Sequence, residues 1–256
     1  MIDLSDVTFI IPLRIDSVER FHNLTYLINY FERNLITNVI LLESDAERKI
    51  NFKSNSTSIN FDYLFVKDES PFFHRTKLLN IMISRSQTPY VANYDCDVLL
   101  PLQAYERSYA LLREHDFVYP FNGLFLDIPP AIKAKLFSNE ISICDINISE
   151  CGILGKDSVG GAIFAKRASY IESGLENERF IAYGFEDQER ISRWITLGYR
   201  IVRLDNPLYH MCHPRGINSR SENPYFNNNI AEFEKVRRLS ADELRAYIKS
   251  WPWGAR

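Results

Sequence analysis

Apolar and polar positions fall into alternating blocks along the first hundred residues. Val7-Thr8-Phe9-Ile10-Ile11 is a strand-type run, and Asp16 followed by Glu19 predicts a capping box opening a helix with Phe21, Leu24, Ile28, Phe31 and Leu35 on one face. Val39 to Leu42 predicts a second strand. The polar stretch from Lys53 to Ser58 reads as a surface loop, after which Tyr63-Leu64-Phe65-Val66 resumes strand character. A helix from about Thr76 to Ser86 leads into Pro89-Tyr90-Val91-Ala92-Asn93-Tyr94, a strand-forming run. This alternation of strands with helices predicts an α/β fold in which helices flank a mostly parallel central sheet.

The second half is less regular. Residues 121–160 mix prolines, glycines and short apolar runs, and their pattern assigns no element. Periodicity returns at Gly160-Gly161-Ala162-Ile163-Phe164, followed by a helix over 187–197 that Gly198 ends, and a strand from Tyr199 to Leu204. Ser240-Ala241-Asp242-Glu243 opens a last capped helix. No internal repeat is present, and 1–256 is expected to form one domain of two halves, 1–100 and 101–230, with a helical tail over 231–256.

Composition narrows the function classes. With 256 residues, 46% of them hydrophobic, the chain has enough apolar surface for a full core. A formal charge of -3 offers no general attraction to nucleic acid or to an anionic membrane. No apolar stretch approaches the length of a membrane span, and Met1 to Asp6 is acidic rather than a basic leader. Cys96, Cys144, Cys151 and Cys212 lack a C-x-x-C spacing, which suits free thiols in a reducing compartment better than a zinc ribbon or a redox pair.

Candidate chemistry begins at Asp95-Cys96-Asp97, just after the run that ends at Tyr94. In an open parallel sheet, the C-terminal strand edge is where ligands bind. Two acids one residue apart can share a hard divalent cation whose remaining sites a diphosphate fills. Such a pair by itself often does no more than solvate a turn. His210 and His213 add imidazole donors, and Glu186-Asp187 adds two carboxylates in the first turn of a helix, where the macrodipole alone already favours them.

The order of these islands is more specific than any of them. Ile10-Ile11-Pro12-Leu13-Arg14, Phe73-His74-Arg75-Thr76-Lys77-Leu78-Leu79-Asn80, Asp95-Cys96-Asp97-Val98, Val159-Gly160-Gly161, Tyr183-Gly184-Phe185-Glu186-Asp187 and His210-Met211-Cys212-His213 recur in one sequence order. Together they resemble the β-1,4-galactosyltransferase family and the related bacterial polymerase-type and chondroitin-type transferases of GT-A fold. The family's corresponding segments are I-I-P-F-R, F-N-R-A-K-L-L-N, D-V-D-L, F-G-G, W-G-G-E-D and M-x-x-H.

The resemblance implies a metal-dependent, inverting transfer of a hexose or N-acetylhexosamine from a UDP-sugar to a glycan or glycolipid acceptor; the alternatives are a retaining transferase of the same fold, against which the acid at Asp187 argues, and a non-catalytic protein that binds UDP-sugar or glycan. It implies a nucleotide pocket of Pro12, Leu13, Arg14, Phe73 and Arg75, with Asp95 at the ribose. It assigns the cation to Asp97 and His213, with His210 as a third ligand where the family has methionine. Imidazole with carboxylate suits Mn2+ better than Mg2+. Asp187 is implied as the base and Glu186 as the holder of the acceptor. Tyr183, Gly184 and Phe185 would form an acceptor-side lid, and Ser158, Gly160 and Gly161 would line the donor sugar. Tyr183 and Phe185 replace the family's tryptophan and second glycine, and Gln188 replaces its next acid, so the acceptor does not carry over. Ser158 is small at a position where the family's galactose users have a large residue and its N-acetylgalactosamine users a smaller one, which favours UDP-N-acetylgalactosamine over UDP-galactose and leaves UDP-glucuronic acid open. A cytoplasmic role at or near the inner membrane face, with no nucleic-acid partner, completes the expectation.

Overall fold

A computed structural model describes residues 1–51 and 56–254. The expected loop over 53–58 therefore lies partly outside the described residues. In chain order the elements are β1 (Ile2–Leu13), α1 (Val18–Asn34), β2 (Leu35–Asp45), β3 (Ile59–Lys67), α2 (Arg75–Arg85), β4 (Tyr90–Tyr94), β5 (Val98–Leu99), α3 (Leu102–Leu111), β6 (Phe117–Tyr119), β7 (Phe125–Ile128), α4 (Pro130–Phe137), β8 (Gly152–Gly155) and β9 (Ala162–Lys166). There follow α5 (Arg167–Glu172), α6 (Glu186–Leu197), β10 (Ile201–Arg203), β11 (Leu208–Met211), α7 (Phe226–Val236) and α8 (Ala241–Lys249).

A seven-stranded sheet in the order β10-β6-β9-β4-β1-β2-β3 forms the centre. Strands β4, β1, β2 and β3 are mutually parallel, whereas β9 runs antiparallel to both β4 and β6. The mostly parallel central sheet expected from the alternation of strands with helices is thus present, with β9 as its antiparallel member. Val7 to Leu13 in β1 are buried without alternation, as befits a strand covered on both faces. Beneath β4 the core is aromatic. Phe9 meets Phe31 at 4.5 Å and Phe164 edge-on at 5.6 Å, while the hydroxyls of Tyr94 and Tyr105 hydrogen-bond at 2.7 Å. Aromatic pairs of this kind add about 0.5–1.5 kcal/mol each beyond area burial, which holds the end of β4 in place.

Two expectations are corrected in detail. The cap of α1 is Ser17, whose hydroxyl accepts from the Arg20 amide at 3.1 Å. Asp16 instead reaches forward to the Arg20 side chain at 2.9 Å. Leu35 also leaves the helix face, because it is the first residue of β2. The region without an assignment, 121–160, supplies β7, α4 and β8, and with β5 and β11 it builds a second sheet in the order β5-β11-β7-β8. Among the described residues no helix is long and apolar enough to cross a membrane.

Candidate active site

The two sheets meet at the acidic turn. Asp95 follows the last residue of β4, and its amide donates to Gly161 O at 2.8 Å, while Asp97 leads into β5. Strand β11 lies between β5 and β7, with His210 opposite Val98 on one side and in register with Asp127 on the other. The Met211 amide donates to Asp97 O at 2.8 Å. Strand register therefore sets His210 between two carboxylates.

Asp97, His210 and His213 bring one ligand atom each within 4.8 Å of one another. His213 Nε2 lies 3.0 Å from Asp97 Oδ2 and His210 Nε2 lies 4.0 Å from Asp97 Oδ1. Each Nδ1 faces an accepting oxygen at 2.7 Å, Asp127 Oδ1 for His210 and Pro214 O for His213. Both Nδ1 atoms therefore carry the proton, and in neutral rings both Nε2 lone pairs turn toward Asp97. Three electron-pair donors converge, an arrangement that a divalent cation satisfies without protonating either ring. A carboxylate on the far ring nitrogen, as Asp127 is on His210, is the kind of contact that orients an imidazole for metal binding. Burial pushes the Asp97 carboxyl up, but the hydrogen bond that a protonated His213 donates in place of a cation, and the charges of a protonated His210 and of Arg20, outweigh it and hold the group below the ordinary range.

The opposite wall is the N-terminus of α6. Its cap, Phe185, has φ 68°, a left-handed backbone that costs a non-glycine residue about 1–3 kcal/mol. Stacking compensates: the Phe185 ring lies 5.3 Å from Phe233 and 5.7 Å from Phe226, both on α7. The Tyr183 ring lies parallel to that of Phe226 at 6.3 Å, and a Cβ on Gly184 (φ 129°) would stand 2.8 Å from it. The Tyr183 carbonyl accepts from Asn223 at 3.0 Å and from Asn229 at 3.3 Å. The segment 183–185, expected to form a lid, is thus seated on α7.

Glu186 and Asp187 follow at once. Asp187 Oδ1 accepts from Arg190 Nη2 at 2.6 Å and stands 3.6 Å from Arg75 Nη1. Arg190, itself buried, is anchored on Glu176 at 2.9 Å. Glu186 Oε2 accepts from the Gly184 amide at 3.0 Å. Burial, reinforced by the Asp187 charge and opposed by Arg75, pushes the Glu186 carboxyl up to about 7.

Arg75 spans the two walls. Its Nη2 donates to Asp95 at 2.8 Å and to Asn93 at 3.1 Å, while Nη1 is buried without a hydrogen-bond partner among the described residues. Burial raises the Asp95 carboxyl, with Arg75 opposing and the charges of Asp97 and Asp187 adding.

One cleft of about 320 Å³ joins these groups. Of the expected site residues, Pro12, Phe73, Arg75, Asp95, Asp97, Ser158, Gly160, Gly161, Tyr183, Phe185, Glu186, Asp187, His210 and His213 line it. Leu13 and Gly184 do not, and Leu13 is part of the core. Nor does Arg14, whose guanidinium is committed to Ser44 O, Ser70 O and Asp68, with its carbon 5.6 Å from the centre of the Phe73 ring. Gly160 has a steric reason: a Cβ there would overlap Asp187 Oδ2. Gly161 has φ 90°, and a Cβ would stand 2.6 Å from Leu208. Arg20, Asp127, Arg190 and Asn218, which donates to Pro71 O and accepts from the Phe73 amide at 2.7 Å, were not among the expected residues.

No protein-family model matches the sequence, and no curated protein shows significant sequence similarity to it. Solved structures do match. The catalytic domain of Drosophila β1,4-galactosyltransferase 7, complexed with xylobiose, superposes with a TM-score of 0.54 at 15% identity over 94% of this chain and 84% of that one. A variant of the same enzyme complexed with manganese, UDP-Gal and xylobiose matches equally well. Residues 1–349 of S. aureus TarS complexed with UDP-GlcNAc give a TM-score of 0.58 at 12% identity over 93% of this chain and 69% of that one. The likeness is one of fold: the chain has the GT-A glycosyltransferase architecture, an α/β core with a mixed central sheet flanked by helices.

Proposed function

We propose that the protein is a metal-dependent, inverting glycosyltransferase that moves a hexose or N-acetylhexosamine from a UDP-sugar to a hydroxyl of a glycan or glycolipid. The observation that carries this reading is the pairing, across one cleft, of the Asp97, His210 and His213 donor set with the carboxylates of Glu186 and Asp187. Structural neighbours crystallised with UDP-Gal and manganese or with UDP-GlcNAc support the nucleotide and the metal.

Asp97, His210 and His213 would hold Mn2+, which when bound neutralises charge building on the departing diphosphate. Phe73 offers a face for the base, and Arg75 Nη1 is a spare donor for a ligand oxygen. Asp95, already engaged by Arg75, would face the ribose. Asp187 takes the proton of the attacking hydroxyl, with Arg190 fixing its orientation. Glu186 holds the acceptor. As the acceptor oxygen bonds to the anomeric carbon, the carbon–oxygen bond to the diphosphate breaks and its electron pair leaves with UDP.

Ser158 lines the cleft beside Gly160, and its small side chain favours UDP-N-acetylgalactosamine over UDP-galactose. The four cysteines are unpaired, which fits a cytoplasmic role in building surface glycans. A thermal-shift screen of UDP-galactose, UDP-N-acetylgalactosamine, UDP-glucose, UDP-N-acetylglucosamine and UDP-glucuronic acid, with and without Mn2+, tests the reading. It predicts a Mn2+-dependent rise in Tm with one donor. No shift with any UDP compound would overturn it.

A further inference from the structure

His210 and His213 are three residues apart, and on a strand, side chains three apart point to opposite faces. Both rings nevertheless turn toward Asp97, so the chain must leave the strand between them. It does: β11 ends at Met211, and Cys212 and His213 lie beyond the last residue that the sheet fixes. Side chains from elsewhere must set that turn.

Two side chains outside the cleft hold the carbonyls of the two intervening residues. Asn23, fully buried on α1, donates through Nδ2 to Met211 O at 2.6 Å. Lys133, half-buried on α4, donates through Nζ to Cys212 O at 2.6 Å, a charge-assisted bond. The two donors are themselves joined, since Lys133 Nζ lies 3.4 Å from Asn23 Oδ1. Neither residue lines the cleft.

Packed rings carry this clamp. Phe137, four residues after Lys133 on α4, stacks on Tyr26 of α1 at 4.5 Å with the ring planes 9° apart, and the Lys133 ammonium lies 5.7 Å from the centre of the Phe137 ring. The stack fixes α4 against α1, and with it the spacing of the two donors. Among the described residues, the ring of His213 also meets Asp97, Arg20 and Pro214 O, contacts that orient the ring and not the turn behind it.

We infer that Asn23 and Lys133 are positioning residues of the metal centre: by holding the carbonyls of Met211 and Cys212 they set the turn that brings His213 Nε2 to the point His210 Nε2 faces, and so set the affinity for the cation. This rests on the metal half of the reading above. Neither residue touches the cation or the donor; both act through the backbone between the two ligands.

Lys133→Met tests this, because it keeps an aliphatic stem against Phe137 and removes the ammonium. Mn2+ binding is measured by electron paramagnetic resonance. The Co2+-loaded chain is followed by proton NMR, in which the Nδ1 protons of the two ligand rings give separate exchangeable signals, that of His210 identified by its change in Asp127→Asn. Lys133→Met should weaken Mn2+ binding by about tenfold or more, as loss of a group that orients a metal ligand does. The His213 signal should move, while that of His210, held by Asp127, stays. Lys133→Arg, which still donates, should recover most of the affinity, and Lys133→Gln carries the same comparison if the methionine variant does not fold. A wild-type chain that binds Mn2+ while the methionine variant binds it equally well overturns the inference alone. So does an equal displacement of both ring signals, which would make the clamp a general support of the fold. If the wild-type chain binds no Mn2+, the metal half of the reading fails and this inference with it.

Discussion

Replacing Asp187 with asparagine removes the proposed base while changing little else. The side chain keeps its size and a carbonyl acceptor for Arg190 Nη2, now 2.6 Å from Asp187 Oδ1. Arg190 is not stranded, because Glu176 still holds its Nη1 at 2.9 Å. The cost to folding is therefore that of weakening one charge-assisted hydrogen bond, about 1–2 kcal/mol. Catalysis loses far more: a positioned general base is worth about 100- to 10,000-fold in rate, and an amide cannot take the proton. Asp187 belongs to neither the metal donor set nor the Phe73 wall, and its link to the nucleotide pocket is the 3.6 Å ion pair with Arg75 Nη1, a guanidinium that Asp95 still holds at 2.8 Å, so UDP affinity should stay within about twofold. Two assays check this: UDP release with the donor found by screening, and calorimetry of UDP at saturating Mn2+. A fall in kcat of less than about tenfold, or a loss of UDP affinity matching the loss of rate, would refute the assignment.

Three further perturbations follow from the same geometry. Asp127→Ala removes the oxygen that holds His210 Nδ1 at 2.7 Å and should weaken Mn2+ binding by about 10- to 100-fold; an unchanged affinity would mean that His210 needs no orienting partner. Gly160→Ala forces a Cβ into Asp187 Oδ2 and should lower kcat by about 100-fold while Mn2+ and UDP still bind, whereas full activity would show that the carboxylate need not stand where it does. Glu186, raised to about 7, favours its protonated form in the folded state. Its contribution to stability is complete below the unfolded carboxyl value, near 4.5, and disappears as pH climbs through 7. The Tm of Glu186→Gln relative to the wild-type chain should therefore rise between those pH values and level off above them; a difference that is flat with pH would contradict the account.

What could be read in the sequence was whatever local spacing encodes. The 3.6-residue stripe of α1 and the strand run ending at Tyr94 depend on neighbours in sequence, and both elements are present. The cap was misplaced by one residue because Asp16 and Ser17 both fit the pattern, and the choice depended on Arg20, whose side chain claims Asp16 and whose amide claims Ser17. The small sheet escaped because its strands are two to four residues long and come from four distant parts of the chain. Strands that short leave no period to detect. Asp127 was hidden for the same reason: only the pairing of β7 with β11 sets it beside His210. Nothing in the local pattern singles out Arg190, which is 1% exposed and bridges Asp187 to Glu176. Nucleotide-pocket roles for Leu13 and Arg14 followed from the motif, whereas the strand buries Leu13 and the Asp68 segment takes up Arg14.

The central claim is that the metal donor set and the carboxylate pair act on one donor sugar, and slow transfer to water tests it without knowledge of the acceptor. The wild-type chain is incubated with the screened α-linked UDP-sugar, with and without Mn2+, and the released sugar is followed by proton NMR before its anomers equilibrate. The account predicts UDP release only with Mn2+, with the β-anomer appearing first. Release of the α-anomer, or release at the same rate without metal, would contradict it.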